Sequence, residues 1–489
     1  MRRAISPPGR TKSAAFRMSL RSITADPSRD ARGSALLAAP IRRRRALIFV
    51  VIAFTYVISY FHRAAPVVVG PVIAGELGLD PAQLGLMASM YFWAYAAAVF
   101  PSGLLSDGWG ARRTMAVFVL IAALAGLAFA FGSSIGTLAA SRFVIGLGVS
   151  VVYVAALRIF SDWYGPDELG TYSGLLLAFG NIGALLSTAP LTAAIGAIGW
   201  RDVFTIVAAL TAVAAVVCWF VVVDTPGEYA RRGAPAPKRS APAAGSGSAL
   251  ADLRRAIATV FSNPGVYLIG VLVFSFYGTF MGVGSLWAGP YLHTVYGLSK
   301  QEAGHILMLF PLGMTIGCPL AGWLSDKVFG ARRPVLLFGG VLHLLSYVPL
   351  VFFTGDLSGW MLGALFFWYG LSGGAFVVCF AASKELFDSR YAGAAVGAVT
   401  MFLQCGGAFY QYVIGVVIAH PDLVGAGGDP AVLYGRAFAV PMVGLALCLV
   451  VFSRFRERGG FAAARAASTS PLATPAPGLV PAAAPPGKS

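Results

Sequence analysis

The sequence predicts an all-α membrane protein of twelve transmembrane helices arranged as two pseudo-symmetric six-helix bundles. Three observations predict it. Of 489 residues, 57% are hydrophobic and only 11% charged, whereas a soluble domain carries roughly 25% charged residues. Many stretches run about 20 residues without a charge, enough to cross a ~30 Å hydrocarbon core as helices. These stretches fall into two sets of six, and a loop motif in the first set recurs at the matching place in the second.

In chain order, residues 1–45 form a basic, Ser- and Pro-rich segment expected to be a disordered cytoplasmic tail, low in complexity through residue 40. The first apolar run is too long for a signal peptide and lacks a small-residue cleavage site, so it is expected to be retained as a helix. The first bundle, 46–223, contains spans at about 46–74, 82–105, 114–132, 137–158, 170–195 and 202–223. Residues 224–264 are rich in Pro, Gly, Ser and Arg, cannot bury enough apolar area to order themselves, and read as a cytoplasmic linker. A short amphipathic piece near 250–261 fits the membrane surface. The second bundle, 265–453, contains spans at about 265–290, 301–324, 333–354, 358–383, 391–419 and 433–453. Residues 454–489 read as a second disordered cytoplasmic tail, low in complexity from 459.

The net charge of +16 is explained by where the charge lies. All but five of the 36 Lys and Arg fall in the tails, the even-numbered connections or at Arg158 on their border; the exceptions are Arg63, Arg142, Arg201, Lys300 and Arg436. Positive charge is retained on the cytoplasmic side, so both termini and the linker are expected inside the cell, in the plasma (inner) membrane. No basic patch interleaves with aromatic residues in a soluble domain, which excludes nucleic acid as the partner. The five cysteines all lie in apolar segments without a CxxC pair, and the five histidines show no paired spacing, so neither disulfide framework, metal centre nor other cofactor is expected. "GLSGG" (370–374) fits a hydrolase pattern but lies within an apolar helix and lacks the strand–turn–helix context that pattern needs. An enzyme is not expected, and without a GxxxxGK[ST] loop neither is ATP-driven transport.

The recurring motif is "GLLSDGWGARR" (103–113) after span two and "GWLSDKVFGARR" (322–333) after span eight; the second copy carries one extra residue before its last glycine. Gly103 can let two helices approach closely, and Asp107 can favour a helix N-terminus by its charge. Arg112 and Arg113 supply breakable cytoplasmic contacts. The plainer reading is two tight turns with positive-inside arginines. With "RFVIGLG" (142–148) in span four and "GWRDVF" (199–204) before span six, the chain resembles the major facilitator superfamily over nearly all of 46–453. It departs from that pattern at Gly108, where the family carries a basic residue. "YFHR", "LWAGPYL" and "VYGLS" resemble a branch with bacterial amino-acid and lysosomal dipeptide transporters. The resemblance implies two bundles rocking about a central site lined by spans 1, 4, 7 and 10. It also implies gating at Gly103, Asp107, Arg112 and Arg113 and their echoes Asp326, Arg332 and Arg333.

The ionisable residues within the spans are mainly basic: Arg63, Arg142, Arg158 and Lys384, with Glu385 the main acid near them. Cation exporters generally need an intramembrane carboxylate, so this bias favours an anionic or carboxylate-bearing solute. Arg63 lies 18 residues after Arg45 and 13 before Glu76, roughly 20 Å from the nearer charged end at 1.5 Å per residue. It contacts either the solute, alongside Tyr60, or another helix. Arg158 and Lys384 match across the repeat and either line the site or snorkel to the interface. Asn181, Trp287, Gln404 and Gln411 are further lining candidates. His62 can titrate near neutrality, and with Arg142, the family's span-four arginine, and Glu385 it is a proton-coupling candidate; packing roles are the alternatives. The expected function is secondary, proton-coupled uptake of an amino acid, dipeptide or organic acid by a monomer in the bilayer. An exporter and a transporter-like sensor are the rivals.

Overall fold

The computed structural model describes residues 39–230, 249–388 and 391–455. Residues 1–38, the middle of the linker and the whole of 459–489 lie outside them. Among the described residues, twelve helices are long and apolar enough to cross a membrane. In the first half these are Ile41–Ala64, Pro81–Gly108, Ala111–Ala130, Ile135–Trp163, Glu168–Leu186 and Trp200–Val221. In the second half they are Pro264–Tyr296, Lys300–Val328, Arg332–Phe352, Gly359–Lys384, Ala392–Ala419 and Pro430–Phe452.

Three expected spans are broken, span nine at Ser346, between Arg332–Leu345 and Tyr347–Phe352. Span one stops at Ala64 and resumes as Pro66–Leu77, because Pro66 has no N–H to return to the His62 carbonyl four residues earlier. Span five stops at Leu186 and resumes as Ala189–Ile198, with proline in its first turn. Span seven is continuous but includes a π-helical turn, Val283–Trp287.

The two halves repeat their connections as well as their spans. Gly78 and Gly297 both take left-handed conformations, at φ 64° and 65°, where only glycine is comfortable. Two residues later, Asp80 with Gln83 and Ser299 with Glu302 form capping boxes that start spans two and eight. The offset of 219 residues between these glycines puts the span-one break opposite the π-turn of span seven. Packing follows the same symmetry: span one lies on five and seven on eleven, while two lies on four and eight on ten. Across the halves, span two runs antiparallel to span eleven. A Cβ at Gly85 would come within 2.7 Å of the Gln411 carbonyl, and one at Gly397 within 3.0 Å of the Phe100 ring. On the side opposite the termini, a Cβ at Gly289 would meet the Val67 carbonyl at 2.6 Å, so spans one and seven are closed against each other there.

Candidate functional site

Arg63 sits one residue before the end of the first segment of span one, where the chain breaks. Its guanidinium lies over three tyrosine rings, Tyr60 at 4.8 Å, Tyr95 at 5.2 Å and Tyr91 at 5.9 Å. One Nη donates at 3.4 Å to the Tyr277 hydroxyl of span seven, while Nε is buried without a partner. Among the described residues no carboxylate pairs with it. Tyr91 and Tyr95 are one helical turn apart on span two and so share a face. Tyr277 in turn packs edge-on against Phe376 of span ten, 4.9 Å between centroids. The guanidinium therefore joins the two halves through aromatic faces and one hydroxyl, a weakly held cation with donors to spare.

Gln404 of span eleven belongs to the same level. Gly407 lies against Phe92 and Gly397 against Phe100 in the antiparallel pair with span two, so Gln404 stands opposite the stretch that carries Tyr95. Parallel span seven meets span eleven at Gly278 and Gly406, next to Tyr277. Gln404 is 1% exposed, and both its amide oxygen and nitrogen lack partners. An unpaired buried amide costs about 1–3 kcal/mol, so this side chain is kept in a state that a polar ligand would relieve.

Other candidates stand away from Arg63. Arg142, 1% exposed, donates at 2.6 Å to the His62 carbonyl, the acceptor that Pro66 leaves free, and lies 5.0 Å from the Tyr91 ring. It thereby holds the break that presents Arg63. The His62 ring is buried with Nε2 3.4 Å from the Thr211 hydroxyl of span six, and Nδ1 has no partner. The Trp287 indole donates at 2.9 Å to the Gln411 carbonyl, and the Gln411 amide donates at 2.8 Å to Ser285; both fasten the π-turn of span seven to span eleven. Asn181 is partly exposed beside Gly180, where span five meets Tyr56 and Tyr60.

The loop motifs form two clusters on the side of the termini. In the first, Asp107 pairs with Arg158 at 3.2 Å, and Arg158 also reaches Asp162 at 3.2 Å. The Arg112 backbone N–H donates to Asp224 at 2.7 Å, its guanidinium is 4.0 Å from Glu228, and Arg113 is exposed. In the second, Arg332 pairs with both Asp326 and Glu385, the latter at 2.9 Å, and donates to Ser325. Arg333 donates to the Ser453 carbonyl, and Lys384 is exposed. Arg158 and Glu385 are thus parts of these clusters and not of the Arg63 level. A Cβ at Gly103 or Gly322 would meet nothing within 4 Å; in this conformation neither glycine marks a close helix approach.

The model of the Major Facilitator Superfamily matches residues 52–410 and 276–474. The chain belongs to the Major Facilitator Superfamily. Like other members it is a multi-pass secondary transporter and not an enzyme. It is 26% identical over 320 residues to the "Probable sulfoacetate transporter SauU" of Cupriavidus necator, covering 64% of this chain and 74% of that one. It is 28% identical over 397 residues to the "Probable hexose phosphate transport protein" of Chlamydia muridarum, covering 76% and 85%. The fold is similar to the crystal structure of a bacterial homologue of the human lysosomal transporter Spinster in an inward-facing conformation, with a TM-score of 0.65 at 17% identity over 89% of this chain and all of that one.

In this superfamily member, sequence reasoning missed Tyr91, Tyr95 and Tyr277. The four-residue spacing of Tyr91 and Tyr95 beside span one was a usable signal; nothing local marked Tyr277. Also missed were the bidentate pair of Arg45 with Glu168, at 2.8 and 2.9 Å, and the grip of Trp200 and Arg201 on Glu76.

Proposed function

We propose that the transported solute is a small organic anion bearing a carboxylate, and that Arg63 is its primary contact. One observation carries this reading: a deeply placed guanidinium with free donors and no carboxylate partner among the described residues. Such a cation is expensive in a membrane, ~2.5–3.5 kcal/mol even on lenient scales, unless something offsets it. A carboxylate accepting two parallel hydrogen bonds does so. The two curated relatives named above carry, by their names, a sulfonated carboxylate and a sugar phosphate, which favours an organic acid over an amino acid or dipeptide. The mode is proton-coupled uptake. His62 is the proton site, Arg142 holds the backbone beside it, and Glu385 belongs to the cluster that responds when the halves move.

The test begins with a thermal-shift screen of small carboxylates on purified protein. Against the solute so found, Arg63→Lys keeps the charge but loses the planar fork, and is expected to lose most of the affinity. Arg63→Ala is expected to abolish uptake, since removing one partner of a desolvated charge pair costs ~2–5 kcal/mol. A monodisperse Arg63→Lys that binds like wild type overturns the clamp. Uptake into proteoliposomes that ignores an imposed pH gradient overturns the coupling.

Both termini and the 224–264 linker are proposed to be cytoplasmic, on the strength of their basic charge. A single cysteine at Ser246 in a cysteine-free background is expected to resist labelling from outside intact cells. Efficient labelling there reverses the orientation.

A further inference from the structure

We propose that a cleft between spans five and eight, on the side opposite the termini, is a binding site for an anionic phospholipid. Its volume is about 870 Å³, inside the range of about 300–1,000 Å³ that ligand sites occupy. Both halves build it. Val68 and Val72 come from the segment after the span-one break, Thr192 from the segment after the span-five break, and Lys300, His305 and Leu307 from span eight.

Three features select a lipid. First, the cleft opens onto the membrane. His305, Met308, Leu312, Ile316 and Leu320 are all exposed, at spacings of three and four residues. They form one face of span eight. An exposed apolar face on a membrane span is a lipid-facing face, and its first member, His305, is a wall of the cleft. Second, the inner walls are apolar while the mouth carries charge. Lys300 is exposed and makes no ion pair among the described residues. The nearby acid, Glu302, is occupied by its own helix cap, accepting from the Ser299 N–H at 2.9 Å and the Ser299 hydroxyl at 2.7 Å. Third, the mouth has further polar groups at headgroup depth. The His293 ring is fixed by its Nδ1 contact with the Leu298 carbonyl at 2.9 Å, and it lines the cleft with Gln301. A phosphate at Lys300 with acyl chains running between Val72 and Leu307 satisfies all three; a small water-soluble anion leaves the apolar walls unused.

A lipid held here touches both halves on the side where they are closed together. Its occupancy stabilises this conformation to the extent that the cleft changes when the halves separate.

The experiment is native mass spectrometry of the full chain, delipidated in detergent and titrated with phosphatidylglycerol or with phosphatidylcholine of the same acyl composition. The expected result is one adduct retained more tightly for phosphatidylglycerol. Lys300→Gln should weaken that adduct about five-fold, the effect of roughly one lysine beside an anionic headgroup, and leave phosphatidylcholine unchanged. Ala193→Trp, at an exposed position on the wall, should remove the tight adduct altogether. Arg63→Lys should leave it intact, which separates this site from the solute site. Equal retention of the two lipids, indifference to Lys300→Gln, or full displacement by inorganic phosphate overturns the proposal.

Discussion

At the end of span two, Asp107 reaches across to span four and pairs with Arg158. At the end of span eight, the matching Asp326 turns back to Arg332 of its own loop motif, and Arg332 reaches on to Glu385 at the end of span ten. The motifs are nearly the same; the wiring is opposite. The difference lies in which charge of the neighbouring helix end meets the motif. In the first half it is Arg158, itself also paired with Asp162; in the second it is Glu385, where the matching Lys384 is exposed. An aspartate facing Arg158 has its partner outside the motif, whereas an aspartate facing Glu385 would be repelled and is bridged instead by the motif arginine. The extra residue in the second copy contributes too. It is absorbed as a π-helical turn, Leu324–Val328, the form a one-residue insertion takes inside a helix. A motif fixes which charges are available, and its surroundings decide which of them meet.

The strongest way to break this comparison is to truncate the motif arginine in each half. The Arg332 side chain is 10% exposed and holds two carboxylates, so Arg332→Ala should cost about 1.5–3 kcal/mol, the range for hydrogen bonds to charged groups. Arg112→Ala should cost far less. The short bond from Arg112 to Asp224 is made by its backbone N–H, which the substitution keeps, and its guanidinium makes only a 4.0 Å pair with a half-exposed glutamate and a 5.9 Å contact with the Trp219 ring. Thermal unfolding of both purified variants in the same detergent measures the difference, and equal losses would mean that the second cluster is no more tightly built than the first.

A smaller effect sharpens the first-half side. Both members of the Asp107–Arg158 pair are substantially exposed, and such pairs are worth about 0.2–1 kcal/mol. Asp107→Asn should therefore slow transport by shifting the balance of conformations while solute binding stays within a few fold. A double-mutant cycle with Arg158→Gln should give a coupling in that same range. Wild-type transport by Asp107→Asn, or a coupling indistinguishable from zero, leaves Asp107 a turn residue.

What could be read in advance followed from local rules. Apolar length gave the twelve spans, the arginine and lysine distribution gave an expected orientation, and the depth of Arg63 marked it without any knowledge of its neighbours. Pro66 removes one backbone donor at the interruption of span one, but prolines inside spans two, eight and twelve leave those helices continuous. The residue type alone therefore did not mark the break within the apolar run 46–74. The consequence of that break was not local. The carbonyl it frees is taken up by Arg142, 80 residues away, and only packing brings span four to that point.

By itself, then, the sequence determined the class, the span count, the repeat and the deep position of the Arg63 cation, because hydrophobic length and charge cost are properties of single segments. The tertiary structure alone decided what surrounds that cation. Tyr277 reaches Arg63 from 214 residues away, and Gln404 comes level with it through two helix pairings of opposite sense. It also decided which acid each motif charge meets, since a pair is set by the distance between two helices and not by either helix alone.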